Sequence, residues 1–297
     1  MPHGSRIGLL VAVCVLVACT DVPDAGPPAV QADRGVAAVA DPVDTRAAAS
    51  PAPPDEAEVR VALHGEDAVA GAADDDGHLG ILWLGYPFTD AGVHRFTGFV
   101  TTTRRFDAMD AEDALLTHDD TVALGQATFE WTGAAWHVQS TDGYVGEFGR
   151  NVKPEALDTT RAVARHDTAD GRMLIAVPTR DFINGSAQQR FAVFVFDPAS
   201  VAQPQGRPWR YLGSVDSGED NAAACAEGEV MPCIRAVGTL TFAAATGDAR
   251  LPDLEVIYTG TTIAAPGRTR ALGPADTQRY RFDDETEQYE PQASPAS

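Results

Sequence analysis

The side chains that could do chemistry in this sequence are cysteines, carboxylates, scattered histidines and a set of aromatics. Cys225 and Cys233 enclose seven residues in "CAEGEVMPC", a spacing that suits a loop-closing disulfide wherever the compartment is oxidising. The alternative is a metal site, which would need further Cys or His at ligand spacing, and no such partner lies nearby in the sequence. Closing so short a loop stabilises by about 2.5 kcal/mol on the chain-entropy account. The pair sits within "SVDSGEDNAAACAEGEVMPCI", residues 214–234, together with Asp216, Glu219, Asp220, Glu227 and Glu229. As a long crosslinked connection between two strands, this stretch would hold the five acids as a fixed negative surface for a basic partner or a cation. The plainer alternative is a pinned excursion whose acids only solvate it.

Other candidate chemistry is thin. "DDDGH", residues 74–78, offers oxygen ligands to a hard cation but lacks the spaced pattern and a distal Glu, so a solvated turn is expected. His64, His78, His94, His118, His137 and His166 are dispersed. Trp83, Tyr86, Trp131, Trp136, Trp209 and Tyr211 could stack on sugars, but aromatics at strand spacing more often build core. Lys153 is the one lysine, which argues against Schiff-base chemistry elsewhere. There is no G-x-S-x-G elbow, H-E-x-x-H pair, phosphate-binding glycine loop or dinucleotide fingerprint. No metal ligand set, cofactor or catalytic residue is expected.

The strongest signal is at the start. Arg6 precedes an apolar run over residues 7–18, about a dozen residues and well short of the roughly 20 a spanning helix needs. This predicts a signal peptide. Leu16-Val17-Ala18-Cys19 resembles the lipobox of bacterial lipoproteins. The resemblance implies cleavage before Cys19, two acyl chains on its sulfur and a third on the new amino terminus. Two or more acyl chains anchor a protein stably, so the membrane becomes a partner through lipid on Cys19. The alternative is an ordinary secretory signal with Cys19 incidental. In the lipoprotein family an Asp directly after the Cys favours retention in the inner membrane. Here Thr20 takes that position, which points to the outer membrane. In such an envelope compartment Cys225 and Cys233 remain as an even pair able to oxidise.

Residues 20–58 are rich in Ala, Pro and Asp with almost no large apolar side chain, a composition that cannot offset its ordering entropy. They read as a tether, reaching roughly 35 Å as a flexible coil. The expected organisation is therefore a signal peptide over 1–18, a lipidated Cys19 and tether over 19–58, a folded domain over 59–290, and a disordered tail over 291–297. The net charge of -21 repels phosphate backbones and anionic surfaces, so nucleic-acid binding is not expected.

The elements of the domain are mostly strands. "GILWLGYPF", "VHRFTGFVTTT", "QATFEWTG", "RMLIAVPT", "RFAVFVFDP", "WRYLGSV", "IRAVGTLTFA" and "LEVIYTG" are short runs rich in Val, Ile, Thr and aromatics. Joints such as "DTADGR" and "ATGDARLPD" carry turn residues. Phe129 and Trp131 alternate, as do Phe191, Val193 and Val195, which places each set on one strand face. "FEWTGAAWHV" and "YRFDDETEQYEP" have the form of hairpins. One helix is expected over "DAMDAEDALLTHDD", residues 107–120. The connections are too short for crossover helices, so the fold class is all-β with mostly antiparallel sheets. "ATGDARLPDLEVIYTG" loosely resembles the calcium-loop and strand unit of FG-GAP β-propeller blades. With Asp253 as the last ligand, the other positions fall on Ala245, Gly247 and Ala249, which offer no carboxylate, so calcium is not carried over. A β-sandwich or barrel-like arrangement is expected, with a propeller-like one as the alternative. Two functions remain open: a non-catalytic lipoprotein whose β domain binds a periplasmic protein or an envelope polymer such as glycan, or a tethered hydrolase acting on glycan or peptide.

Overall fold

The computed structural model describes residues 51–65, 78–104, 121–201, 203, 206–246 and 250–293. The signal segment, Cys19 and the tether as far as residue 50 lie outside the described residues, as do residues 74–77 and the helix expected over 107–120. No described helix is long and apolar enough to cross a membrane.

The first element is a helix, α1 (Glu56–His64), which begins inside the stretch assigned to the tether. Asp55 caps it: its carboxylate accepts from the Glu58 amide at 2.9 Å, and its own amide donates back to the Glu58 carboxylate at 2.8 Å. This reciprocal box satisfies two amides that a helix start leaves unpaired. Val59 then points inward and is fully buried. It sits where a strand approaches so closely that a Cβ on Gly98 would fall 2.5 Å from the Val59 side chain. The described chain starts at residue 51, and α1 spans the boundary drawn at residue 58.

Four antiparallel strands follow in sequence order, β1 (His78–Asp90), β2 (Val93–Arg104), β3 (Val122–Trp131) and β4 (Trp136–Phe148). The expected hairpin at 129–138 is the β3–β4 connection, closed by the Trp131–Trp136 pair. Period-2 geometry gives this sheet two faces. Phe96, Val100, Ala127 and Phe129 meet Val59 of α1 on one of them. Trp83, Phe99, Leu124 and Phe148 on the other enter the main core.

The second sheet has ten strands: β5 (Ala156–Leu157), β6 (Ala164–Asp167), β7 (Met173–Ile183), β8 (Ser186–Phe196), β9 (Trp209–Asp220), β10 (Arg235–Ala243), β11 (Asp253–Ala265), β12 (Arg268–Ala271), β13 (Gln278–Asp283) and β14 (Gln288–Pro291). Its main path runs β14-β13-β11-β10-β9-β8-β7-β5, with β6 beside β7 and β12 beside β11. The expected hairpin at 280–291 is β13–β14. Ala192, Phe194 and Phe196 of β8 pack with Trp209 against the four-stranded sheet. Phe191, Val193 and Val195 face the other way, onto Leu212, Leu240, Leu254 and Tyr289. That second core requires the sheet to bend over itself. β10 meets β9 only where Arg235–Val237 oppose Gly218–Asp220. Gly218 lies at φ 155 there, and a Cβ on it would strike the Ala236 carbonyl at 2.4 Å. Because residues 173–177 of β7 and 191–196 of β8 are covered on both faces, they are continuous apolar runs rather than alternating ones.

The result is an all-β, sandwich-like fold in which neither sheet closes into a barrel. One four-stranded and one ten-stranded sheet are also not the radial array of similar blades that a propeller needs. Asp253, considered above as a calcium ligand, is buried at the start of β11 and accepts a hydrogen bond from Thr246. Residues 247–249 lie outside the described residues.

Candidate functional site: a groove at the β8–β9 end

The face of β8 that supplies Phe196, Phe194 and Ala192 to the core continues, toward the start of the strand, as Arg190, Gln188 and Ser186. The alternation is unbroken, so the same face changes from apolar to polar where it leaves the sandwich. There it floors a groove of about 580 Å³. Asp216 and Glu219 of β9 stand across from Arg190 and Gln188 in the sheet register. Ile183 at the end of β7, Met231 and Ile234 from the segment after β9, and Ile263 of β11 supply apolar walls.

The acids expected on a loop divide into two groups. Asp216, Glu219 and Asp220 are not on a loop: β9 runs to Asp220, because β8 pairs with it that far. The connection is only residues 221–234, and Glu227 and Glu229 are exposed near its tip. The three strand acids already have partners. Asp216 pairs with Arg190 at 3.0 Å, Glu219 accepts from the Ser186 hydroxyl at 2.6 Å, and Asp220 lies 3.9 Å from Arg235 and accepts from the Ala222 amide at 2.9 Å. The charged residues that line the groove are Arg150, Arg190, Asp216 and Glu219, two of each sign.

The Cys225–Cys233 disulfide is present, with Cα atoms 5.2 Å apart. A second staple lies beside it. Asn221, 3% exposed, donates to the Pro232 carbonyl at 3.1 Å and accepts from the Ile234 amide at 2.8 Å. Together they fix the wall that carries Met231 and Ile234. Replacing both cysteines by Ala is expected to lower the unfolding free energy by about 2.5 kcal/mol in a urea titration. A loss under about 0.5 kcal/mol would mean that Asn221 alone closes the loop.

Beneath the groove, Glu155 is buried and its carboxylate accepts from Arg190 at 2.9 Å and from the Thr179 hydroxyl at 2.5 Å. Its main-chain carbonyl accepts from the Trp83 indole at 2.8 Å. Arg190 therefore bridges a buried carboxylate and an exposed one. Burial pulls its pKa down, but the bonds and charges of Glu155 and Asp216 outweigh this and hold it above the usual arginine value. Burial likewise pushes the neighbouring Tyr211 up, against the opposing effect of its hydrogen bond with Ser214.

Of the six aromatics considered as a sugar platform, Trp83 and Trp209 are core residues, and Tyr86 and Tyr211 pack against that core. Only Trp131 and Trp136 pair outside it, with rings 5.5 Å apart. Among the described residues no three His, Cys, Asp or Glu side chains are grouped to hold a metal ion. Sequence reasoning missed Ser186, Gln188, Arg190 and Asn221. The polar half of "SAQQRFAVFVF" is the signal that β8 continues beyond the core. What the fold and groove define is a β-sandwich domain with a charge-balanced, amphiphilic groove. Comparison of the chain with protein-family models, curated proteins and solved structures finds no match.

Proposed function

We propose that this chain is a lipid-anchored cell-envelope protein, held through acylated Cys19 at the outer membrane, whose β sandwich binds a periplasmic protein or an envelope polymer. The groove carries the binding part of the reading. Gln188 and Arg190 are donors, Asp216 and Glu219 are acceptors, and Ile183, Met231 and Ile263 are apolar surfaces around them. Small numbers of placed polar groups among apolar walls suit non-covalent recognition. The carboxylates nearest the groove are occupied by Arg190, Ser186 and Thr179, a state that holds a surface rigid. The anchoring part rests on Cys19 at the end of the apolar run.

Two separate measurements test the two parts. Cys19→Ser should move the protein from the membrane pellet to the soluble periplasmic fraction or block its processing, while Cys14→Ser changes neither. Unchanged fractionation of the Cys19 variant sinks the anchor. Met231→Asp with Ile263→Asp should abolish capture of envelope components by the tagged chain and leave its melting temperature within about 2 °C, since both side chains are partly exposed. Full capture by that variant moves the binding face elsewhere.

A further inference from the structure

We propose that the Trp136 indole and the ring surface around it form a recognition seat for proline-rich extended chain, and that residues 51–54 of this protein occupy that seat in cis. "PAPP" runs without regular structure into the Asp55 cap of α1. The Trp136 indole N–H donates to the Ala52 carbonyl at 2.6 Å, across 84 positions of sequence. The Trp136 ring lies 5.5 Å from that of Trp131 and 6.4 Å from that of Phe96. A cleft of about 470 Å³ lies beside the contact and is lined by Pro51, Ala52 and Pro53 together with residues that include Phe88, His94 and Trp136. Pro54 is buried.

The chemistry matches what a proline-rich segment offers. Such a chain lacks most amide donors, exposes its carbonyls and presents flat rings at little entropic cost. A reader must therefore supply an apolar ring surface and a fixed N–H donor, and an indole does both at once. The cis segment is delivered by the helix that follows it. Val59, locked over Gly98, fixes α1 on the four-stranded sheet, and Asp55 joins the segment directly to that helix. A ligand tethered this closely competes at an effective concentration in the millimolar range. The seat is occupied by default, and a partner's proline-rich segment gains it only by displacing residues 51–54. This site is separate from the β8–β9 groove and stands whether or not that groove binds anything.

The test uses the full chain carrying Pro51→Gly, Pro53→Gly and Pro54→Gly, titrated with the peptide Ala-Ser-Pro-Ala-Pro-Pro-Asp, the sequence of residues 49–55. Tryptophan emission is a suitable signal, because Trp83 and Trp209 are buried and a change reports Trp131 and Trp136. The variant should bind the peptide saturably and roughly 10-fold or more tightly than the unmodified chain, in which the cis competitor keeps the prolines that hold it extended. Adding Trp136→Phe, which keeps a ring and removes the donor, should weaken binding by roughly 5-fold or more. Absence of saturable binding to a folded variant overturns the proposal, as does binding that ignores Trp136→Phe. Should the glycine variant fail to fold, the Trp136 indole proton is followed by NMR in the unmodified chain. Excess peptide should then shift it, and a signal unmoved at several times the effective concentration overturns the proposal equally.

Discussion

Trp209→Ala is expected to remove about 3–5 kcal/mol of unfolding free energy, a large share of the 5–15 kcal/mol typical of a domain. Trp209 is fully buried where the two sheets meet, with its ring 5.1 Å from both Phe99 and Phe196 and 5.8 Å from Phe88. Its loss leaves a cavity between β-sheets that cannot collapse without moving whole strands. It also breaks a polar chain inside the core. The indole donates to the Thr97 hydroxyl at 3.0 Å, Thr97 meets Thr128 at 2.8 Å, and Thr128 donates to Gln126 at 2.7 Å. All three are fully buried, so a lost partner there carries the cost of a stranded polar group. Trp209→Phe separates the two effects, because it keeps most of the packing and removes only the donor; it should cost about 1–3 kcal/mol. Urea titrations followed by circular dichroism give both values. If the Ala variant loses under about 1.5 kcal/mol, the sheets do not pack through Trp209 as described.

The fold was legible in the sequence where local pattern and burial agree. Phe191, Val193 and Val195 do share one face, and the hairpins at 129–138 and 280–291 are where their turn residues put them. The second core was not legible, because Ala192, Phe194 and Phe196 are just as apolar. A run covered on both sides carries no alternation to say which sheet covers which face. α1 was missed for a different reason. Its cap, Asp55 with Glu58 three residues on, and the Val59 and Leu63 pair behind it are a readable helix start. The Ala and Pro composition upstream masked it. In "SVDSGED" the Ser, Asp and Gly have local preferences for turns, yet β9 keeps them extended because β8 pairs with it up to Asp220. That is a non-local force, and no window of sequence contains it. The groove depends on the same pairing. Arg190 meets Asp216 across 26 residues and Glu155 across 35, so its members cannot be associated by spacing alone.

Arg190→Met should destabilise by about 3–5 kcal/mol, because it leaves the buried Glu155 carboxylate without its cation while Met keeps much of the side-chain volume. Glu155 is 4% exposed and would retain only the Thr179 hydroxyl as a side-chain partner. Its main chain cannot move away to water, since its carbonyl holds the Trp83 indole and the flanking strand β5 pairs with β7. The second variant decides the cause. Glu155→Gln combined with Arg190→Met removes the stranded charge and should recover at least about half of the loss, whereas packing damage alone would add to the single cost. The exposed side of Arg190 behaves differently. Asp216 is 70% exposed at its side chain, so Asp216→Asn should change stability by less than about 1 kcal/mol. A double-mutant cycle across the three residues should therefore give strong coupling for Glu155 with Arg190 and weak coupling for Arg190 with Asp216. Equal couplings would mean that solvent reaches Glu155, and that the floor of the groove is not the rigid, buried ion pair on which its shape depends.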